Sequence, residues 1–296
     1  MMAAADNALV LEGGGFRGMF TAGVLDVLQE QGIYDFGSVW GVSAGALAAV
    51  SYKSHQIGRT MRVMLAFRDD RRFMSLWSLA TTGNLAGVDF MYDQVQNYLD
   101  PGDDAAFNAE PMQMIAVATS VTFGTAVYQH VAHMPEDVRM IAASASMPLV
   151  SRIVDVNGLR LLDGGTADSI PVDAALGLVD VDADGVAPAK RALVVLTQDA
   201  TYRKSGANER AAALSPRYAE FPYYVQALRS RAGRYNACRA HVRELEAEGR
   251  VLCLLPPEPV DVGTSGASGE KLLTLYLQGR TAATERLADI QAFLAQ

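Results

Sequence analysis

The chain has 296 residues, of which half are hydrophobic and a fifth are charged, and its formal net charge is −8. This length is enough for one large α/β domain, and the composition excludes an intrinsically disordered chain. The negative charge argues against nucleic acid as a partner.

The amino terminus has no basic segment, and no apolar run approaches the roughly 18 residues that a membrane-spanning helix needs. We therefore expect no secretory signal, a cytoplasmic protein and at most peripheral contact with a membrane. The two cysteines, Cys238 and Cys253, are too few for a disulfide framework. Their spacing also matches no metal motif, which favours a reducing compartment.

The first 55 residues predict the beginning of a parallel sheet. Apolar runs at 8–11 and 38–42 indicate buried strands, and each is followed by a helical pattern, at 19–31 and 44–50. Two strands that alternate with helices in this way are typical of an α/β fold.

The rest of the chain continues the alternation. We predict further strands at 112–120, 125–131, 153–156, 159–162, 192–196 and 251–255, with helices between them and at the carboxyl terminus. The fold class is therefore α/β, with a mainly parallel central sheet flanked by helices. We expect residues 1–296 to form a single domain, with a motif-bearing core at 8–198 and a helical, basic part at 199–296.

Two segments allow more than one interpretation. Residues 58–97 are rich in aromatic residues and methionine, and they fit either a lid or acyl-chain pocket or a helical pair packed on the sheet. Residues 201–250 contain ten Lys and Arg against five acids. This basic stretch could face lipid phosphates, but a solvated helix face is the commoner reason for such a pattern.

Ser43 lies on the turn between the second predicted strand and its helix, flanked two residues away by Gly41 and Gly45. A strand-to-helix turn this tight strains the backbone at its central residue and brings the flanking residues close to other backbone. The G-x-S-x-G pattern in this context predicts a nucleophile elbow that presents the Ser43 hydroxyl.

The loop after the first strand contains Gly13, Gly15 and Gly18, which match the G-x-G-x-x-G pattern of dinucleotide-binding proteins. Such proteins place an acid at the end of the second strand, whereas this chain has Ser43 just beyond that point. A glycine loop before a helix can instead direct backbone amides at a developing negative charge. Since parallel strands end at one edge of a sheet, we expect the loop and Ser43 to be neighbours, as acyl transfer requires.

A serine nucleophile also needs a base. His55 lies about 18 Å along the helix that follows the elbow, at 1.5 Å per residue. His130 and His133 precede the candidate acid in the sequence, and His241 fits a helix surface. Asp163 follows a strand and precedes two glycines, so its carboxylate could lie in a cleft within reach of the serine proton.

These motifs together resemble the three signature blocks of the patatin-like phospholipases over roughly residues 9–172. The resemblance implies hydrolysis of acyl esters, often in lipids, by a Ser–Asp dyad without a catalytic histidine. Ser43 would be the nucleophile and Asp163 the base. The remaining positions would be the oxyanion loop, Gly13, Gly14, Gly15, Arg17 and Gly18; the elbow glycines, Gly41 and Gly45; and the turn after the base, Gly164 and Gly165.

The sequence therefore predicts a serine acyl-ester hydrolase that needs neither a metal nor an organic cofactor. Its expected partner is a lipid or another acyl ester. Two alternatives stay open: a hydrolase with a Ser-His-Asp triad, and a non-catalytic module that binds lipid or nucleotide through the glycine loop. The pattern does not identify the natural substrate, its positional selectivity or the oligomeric state.

Overall fold

A computed structural model describes residues 6–264 and 266–296 of the chain. The strands are β1 (Asn7–Leu11), β2 (Ser38–Val42), β3 (Gln113–Ser120), β4 (Ala126–Val131), β5 (Val154–Val156), β6 (Leu159–Asp163), β7 (Arg191–Val195) and β8 (Val251–Leu254). The helices on the amino-terminal side of β3 are α1 (Gly18–Glu30), α2 (Ala44–Lys53), α3 (Arg59–Phe67), α4 (Leu76–Thr82), a π-helix (Phe90–Leu99) and α5 (Asp104–Ala109). The later helices are α6 (Val138–Ser144), α7 (Val172–Ala175), α8 (Ala207–Ala212), α9 (Pro222–Ala247), α10 (Gly269–Glu285) and α11 (Leu287–Leu294).

The described strands form one sheet in the order β5-β6-β3-β2-β1-β7-β8, with β4 also paired to β3. The five strands from β3 to β8 in this order run parallel, whereas β4, β5 and β6 join through antiparallel pairings. The predicted α/β class with a parallel core is confirmed. The sheet as a whole is mixed, because short turns at residues 121–125 and at Asn157 and Gly158 reverse the chain.

Both faces of the sheet are covered by helices. Leu9 and Leu11 of β1 point into a core formed with α1, α2 and α10, whereas Ala8 and Val10 point to the other face, against α7 and α9. Alternate residues of a strand face opposite ways, so a strand with helices on both sides is apolar throughout. This burial explains why the parallel strands appear in the sequence as continuous apolar runs.

One edge of β3 is shared by two strands that approach from opposite directions. β2 runs parallel to β3 and ends where Val42 pairs with Val117. β6 runs antiparallel to β3 and ends where Asp163 pairs with Ala118. The carboxyl ends of β2 and β6 therefore meet end to end beside Val117 and Ala118 of β3.

The carboxyl-terminal helices pack closely on the amino-terminal half. A Cβ placed at Gly23 of α1 would lie 2.1 Å from the Tyr276 carbonyl oxygen, and one at Gly279 of α10 would lie 2.1 Å from that of Phe20. Only glycine permits so close an approach of two helix backbones. Within the described part of the chain, no helix has the length and apolar character needed to cross a bilayer.

Candidate active site

Ser43 occupies a strained turn at the carboxyl edge of the sheet, between β2 and α2. Its φ of 54° is positive, which is rare for a residue other than glycine. Its amide donates to Ser144 Oγ at 2.9 Å, and Ser144 Oγ donates in turn to the Val117 carbonyl oxygen at 2.6 Å. This chain of hydrogen bonds ties the turn to β3 and holds the Ser43 hydroxyl at the amino-terminal end of α2.

The two elbow glycines lie where the sequence predicts close backbone contacts. A Cβ at Gly41 would lie 2.6 Å from Ala46 Cα, and one at Gly45 would lie 2.5 Å from the Leu11 carbonyl oxygen. Real Cβ atoms do not approach other atoms so closely, so a larger residue would displace α2 or the end of β1. The glycines thus let the sharp turn pack directly on the strand that leads to the glycine loop.

Asp163 lies beside Ser43, at the end of β6, and only 6% of its surface is exposed. The Gly165 amide donates to Asp163 Oδ1 at 2.8 Å, and hydrogen bonding to the Ser43 hydroxyl is among the effects that lower the pKa of the same carboxyl group. The Asp163 amide donates to the Ser146 carbonyl oxygen at 2.8 Å, which fixes the backbone that carries the side chain. The following residue, Gly164, passes so close to β3 that a Cβ there would lie 2.1 Å from the Val117 carbonyl oxygen.

Opposing effects set the ionisation of Asp163. Burial raises the pKa of its carboxyl group above the ordinary value, because the charged form loses solvation. The positive charge of Arg231, the hydrogen bonds from Ser43 and Gly165 and the charge of Lys204 act in the other direction and favour the carboxylate. Asp163 is therefore a stronger base than a solvated aspartate, while nearby cations still support its charged form.

The glycine loop reaches the same place from β1. Within the described residues, the amides of Gly13, Gly14 and Gly15 donate to no protein acceptor, and all three residues line the cavity that contains Ser43. Gly18 differs, because its amide donates to the Gly15 and Phe16 carbonyl oxygens and its Cα packs near Ala44. The Arg17 amide donates to the Gly14 carbonyl oxygen, and Arg17 is also among the residues that line the cavity. Three glycines whose amides have no protein acceptor among the described residues thus line the space beside the serine.

The cavity has a volume of about 530 Å³ and is lined by two chemical kinds of side chain. Apolar side chains in the lining are Leu85, Met147, Pro148, Leu149, Val150 and Leu228. Charged side chains in the lining, besides Asp163, are Arg17, Lys204, Glu209 and Arg231. The space can thus hold a ligand with an apolar chain and a polar end.

Sequence reasoning missed the contribution of residues 199–296 to this site. Arg231 and Lys204 come from the basic stretch, and Arg239, also from it, is only 5% exposed and donates to the Gln198 and Asp199 carbonyl oxygens. Tyr235 donates to Glu12 Oε1 at 2.6 Å, directly before the glycine loop. The prediction of a solvated helix face is therefore wrong for these residues. A signal existed in the spacing of Arg231, Tyr235 and Arg239, which places them on one face of a helix.

Residues 58–97 form α3, α4 and most of the π-helix, and α4 ends at Gly83. Part of this segment lines a small apolar pocket of about 70 Å³, with Met64, Phe73, Met91 and Tyr92 among its lining residues. The segment also reaches the site, because Leu85 is among the residues that line the Ser43 cavity. Burial, with a smaller effect from the charge of Asp163, raises the pKa of the Tyr92 hydroxyl.

The four histidines lie elsewhere. His55 Nε2 is 2.7 Å from Glu110 Oε2, and His241 Nε2 is 3.3 Å from Asp173 Oδ1 on the wall of a separate cavity. The backbone amides of His130 and His133 donate hydrogen bonds to the carboxylates of Asp184 and Asp137, respectively. No histidine is among the described residues that line the Ser43 cavity. Within residues 6–264 and 266–296, no three His, Cys, Asp or Glu side chains are grouped as metal ligands.

Comparisons with known proteins place this geometry in a family. Residues 9–176 match the family model described as patatin-like phospholipase, and residues 221–295 match a domain of unknown function, DUF6363. The chain is 29% identical over 181 residues to the uncharacterized protein YjjU of Escherichia coli K12, covering 57% of this chain and 48% of YjjU. It is also 29% identical over 182 residues to the uncharacterized NTE family protein Rv1063c of Mycobacterium tuberculosis H37Rv, covering 58% of this chain and 46% of that protein.

The chain therefore spans about half the length of the curated relatives it matches. Among solved structures, it is similar to VipD from Legionella pneumophila, with 13% identity and a TM-score of 0.47 over 96% of this chain and 67% of VipD. The family model covers more than half of the chain and includes the glycine loop, Ser43 and Asp163. The protein belongs to the patatin-like phospholipase family.

Proposed function

We propose that the protein is a serine acyl-ester hydrolase that uses Ser43 and Asp163 as a catalytic dyad. The observation that carries this proposal is that Ser43 and Asp163, at the meeting ends of β2 and β6, line one cavity. Gly13, Gly14 and Gly15 line the same cavity, and their amides have no protein acceptor among the described residues. Family membership supports lipid acyl hydrolysis in general terms. The absence of a histidine from the described cavity lining favours the dyad over a triad.

The first half of the proposed reaction forms an acyl-enzyme. Ser43 Oγ attacks the ester carbonyl carbon while its proton passes to the Asp163 carboxylate. The carbonyl oxygen becomes an oxyanion, which the amides of Gly13, Gly14 and Gly15 stabilise; one such donor contributes roughly 3–4 kcal/mol in the transition state. The carbon–oxygen bond to the alcohol then breaks, and the alcohol leaves with the proton that Asp163 holds.

The second half returns the enzyme to its starting state. Asp163 takes a proton from a water molecule, which attacks the carbonyl carbon of the acyl-Ser43 ester. The tetrahedral intermediate collapses to a carboxylic acid, and Ser43 recovers its proton from Asp163. We propose an ester with an apolar acyl chain as the substrate, since Leu85, Met147 and Leu149 are among the apolar residues that line the cavity.

Hydrolysis of p-nitrophenyl butyrate by purified variants tests the dyad. We expect Ser43→Ala to lower kcat/KM at least about a thousandfold, because the nucleophile is gone. We expect Asp163→Asn to lower it about a hundred- to ten-thousandfold, because an amide of similar shape cannot accept the proton. Asp289→Asn, at an exposed carboxylate of α11, is the matched control and should leave the rate unchanged.

A fluorophosphonate probe separates this function from a binding module. The wild-type protein should be labelled at Ser43, and Ser43→Ala should not. The proposal is contradicted if ester hydrolysis survives both dyad substitutions, or if the probe does not label the wild-type protein.

A further inference from the structure

Glu12 is a buried acid that the proposed reaction does not use. It lies between β1 and the glycine loop, and only 2% of its surface is exposed. Its Oε2 accepts a hydrogen bond from the Thr197 amide at 2.6 Å, and its Oε1 accepts one from the Tyr235 hydroxyl, also at 2.6 Å. A buried carboxylate is costly unless such donors satisfy it. Glu12 is therefore held by two separate parts of the chain, the segment after β7 and helix α9.

The donor from α9 has a fixed position. Burial and the charge of Glu12 raise the pKa of the Tyr235 hydroxyl, so it keeps its proton. Arg239, one turn later in α9, has its guanidinium carbon 5.9 Å from the centroid of the Tyr235 ring, and it donates to the Gln198 and Asp199 carbonyl oxygens. These bonds anchor α9 to the segment after β7. The hydroxyl therefore reaches Glu12 from a helix that other contacts hold in place.

The main chain at Glu12 contacts the surroundings of both the elbow and the glycine loop. A Cβ at Gly45 would lie 3.0 Å from the Glu12 carbonyl oxygen. The Glu12 amide donates to the Val195 carbonyl oxygen at 3.1 Å, which continues the pairing of β1 with β7. The next residue, Gly13, begins the glycine loop. A shift of Glu12 would therefore move the loop amides relative to Ser43.

Other parts of the carboxyl-terminal segment also contact the glycine loop. The Phe16 amide donates to the Thr264 carbonyl oxygen at 3.2 Å, and a Cβ at Gly15 would lie 2.1 Å from the same oxygen. Helix α10 packs closely on α1, the helix that follows the loop. Tyr235, Thr264 and α10 all lie within residues 221–295, the part that matches the domain of unknown function. This segment thus restrains the chain before, within and after the loop.

We propose that Glu12 and Tyr235 are a positioning pair through which residues 221–295 set the geometry of the oxyanion loop. The inference rests on the proposed hydrolase function, and it gives a role to a segment outside the patatin-like match at 9–176. Neither residue is among the described residues that line the Ser43 cavity, so both act through the loop amides. A misplacement of about 1 Å can lower a rate about a hundredfold, because oxyanion stabilisation depends on the position of each donor.

Tyr235→Phe tests the pair, because it deletes one hydroxyl and keeps the ring that Lys204 and Arg239 contact. We expect kcat for p-nitrophenyl butyrate to fall about ten- to a hundredfold with little change in KM, since the loop amides act mainly on the transition state. Glu12→Ala should lower kcat at least as much. Glu12→Gln keeps an acceptor for the Thr197 amide and should recover part of the loss. Adding Tyr235→Phe to Glu12→Ala should cause no further loss, because the hydroxyl then has no carboxylate partner.

The thiono analogue of the ester, with sulfur in place of the carbonyl oxygen, reports on the oxyanion loop directly. Sulfur is larger than oxygen and accepts hydrogen bonds more weakly, so amides placed for an oxyanion contribute less to its reaction. The wild-type protein should prefer the oxygen ester, and Tyr235→Phe should reduce the ratio of the two kcat/KM values about tenfold or more. A substitution that only displaces Ser43 or loosens the fold would slow both esters alike and leave this ratio unchanged.

Tyr276→Phe is the matched control. Tyr276 is buried in the same carboxyl-terminal segment, and its hydroxyl donates to Asp26 Oδ2 at 2.8 Å, in the second half of α1. The variant therefore loses the same kind of bond to a buried carboxylate, but away from the glycine loop. It should lower the urea midpoint of unfolding as Tyr235→Phe does. We expect its kcat and its ratio of the two esters to stay within about twofold of the wild type.

The outcomes separate this inference from the proposed function. If the wild type hydrolyses the oxygen ester in a Ser43-dependent manner but Tyr235→Phe leaves the ratio of the two esters unchanged, the positioning role is wrong and the hydrolase stands. The same conclusion follows if Tyr276→Phe lowers that ratio as much as Tyr235→Phe does. If the wild type hydrolyses no ester, the hydrolase proposal fails, and the positioning role fails with it.

Discussion

Val42 and Asp163 end two strands that meet head to head along the same edge of β3, where they pair with the consecutive residues Val117 and Ala118. Because Ser43 follows Val42 directly, this meeting brings the serine hydroxyl to the aspartate. The antiparallel direction of β6 is essential here. A parallel β6 in the same position would place its first residue, and not Asp163, against the elbow.

The pH dependence of ester hydrolysis should report the ionisation of Asp163. A base acts as the carboxylate, so activity is complete above its pKa and is lost as the pH falls through it. Burial raises the pKa of Asp163, so the loss should occur at a higher pH than for an ordinary aspartate. Arg231→Gln removes a charge that lowers this pKa, so the acidic limb should move to still higher pH.

Profiles of kcat/KM for p-nitrophenyl butyrate, a neutral ester, would measure this shift. Arg231→Lys should return the limb toward the wild-type position because it keeps the charge. Arg229→Gln, at an exposed position of the same helix, should leave the profile unchanged. An acidic limb that does not move in Arg231→Gln contradicts the electrostatic role of Arg231.

Replacing the histidines should not abolish hydrolysis. Each of His55, His130, His133 and His241 changed to Ala should keep kcat/KM within about threefold of the wild type, since none lies on the described cavity wall. Steady-state rates at pH 8 are sufficient for this comparison. A loss of a hundredfold or more at any one of them would favour a triad.

Ser144 should matter for both stability and rate, because its hydroxyl links the Ser43 amide to β3. In Ser144→Ala the buried amide has no acceptor, and we expect the free energy of unfolding to fall by about 1–3 kcal/mol. We also expect kcat to fall with little change in KM, since the elbow loses its support while the cavity walls stay. Urea unfolding and steady-state kinetics measure the two effects.

Ser146→Ala is the matched control for Ser144. Ser146 is also buried, but its hydroxyl donates only to the Ala142 carbonyl oxygen one turn earlier, and Asp163 binds its backbone and not its side chain. We expect Ser146→Ala to lower the free energy of unfolding by less than about 1 kcal/mol. A serine hydroxyl that donates to a carbonyl oxygen one turn earlier adds little stability, because backbone hydrogen bonds already hold the helix. Equal losses for the two variants would refute the special role of Ser144.

Replacing glycine by alanine should lower the free energy of unfolding at the contact between α1 and α10 and raise it at an uncrowded position of α9. Gly279→Ala places a methyl group 2.1 Å from the Phe20 carbonyl oxygen and should lower the free energy of unfolding by about 1–3 kcal/mol or more. Gly233→Ala, in α9, meets nothing within 4 Å and should raise it by about 0.5–1 kcal/mol. Urea unfolding of both variants measures these two changes in the free energy of unfolding. A Gly279→Ala protein as stable as the wild type would show that α1 and α10 can move apart.

Local patterns in the sequence determined much of the fold and the identity of the site. Apolar runs marked the strands because parallel strands are buried on both faces. Asn157 and Gly158 separate the strands predicted at 153–156 and 159–162, and both adopt the positive φ that a two-residue hairpin turn requires. Ser43 with Gly41 and Gly45 marked the elbow because only glycine tolerates its close contacts, and the family match over residues 9–176 confirmed the resemblance that these motifs carry. Single-domain organisation stays a prediction.

Tertiary structure alone decided which side chains complete the cavity. The basic residues of 201–250 resemble a solvated surface in sequence, because composition does not show which helix face is buried. Packing of α9 beside β8 turned Arg231 and Tyr235 toward the glycine loop and left Arg229 outside. The same holds for the free amides of Gly13, Gly14 and Gly15, since whether an amide finds an acceptor depends on what the fold brings near it and not on its own residue.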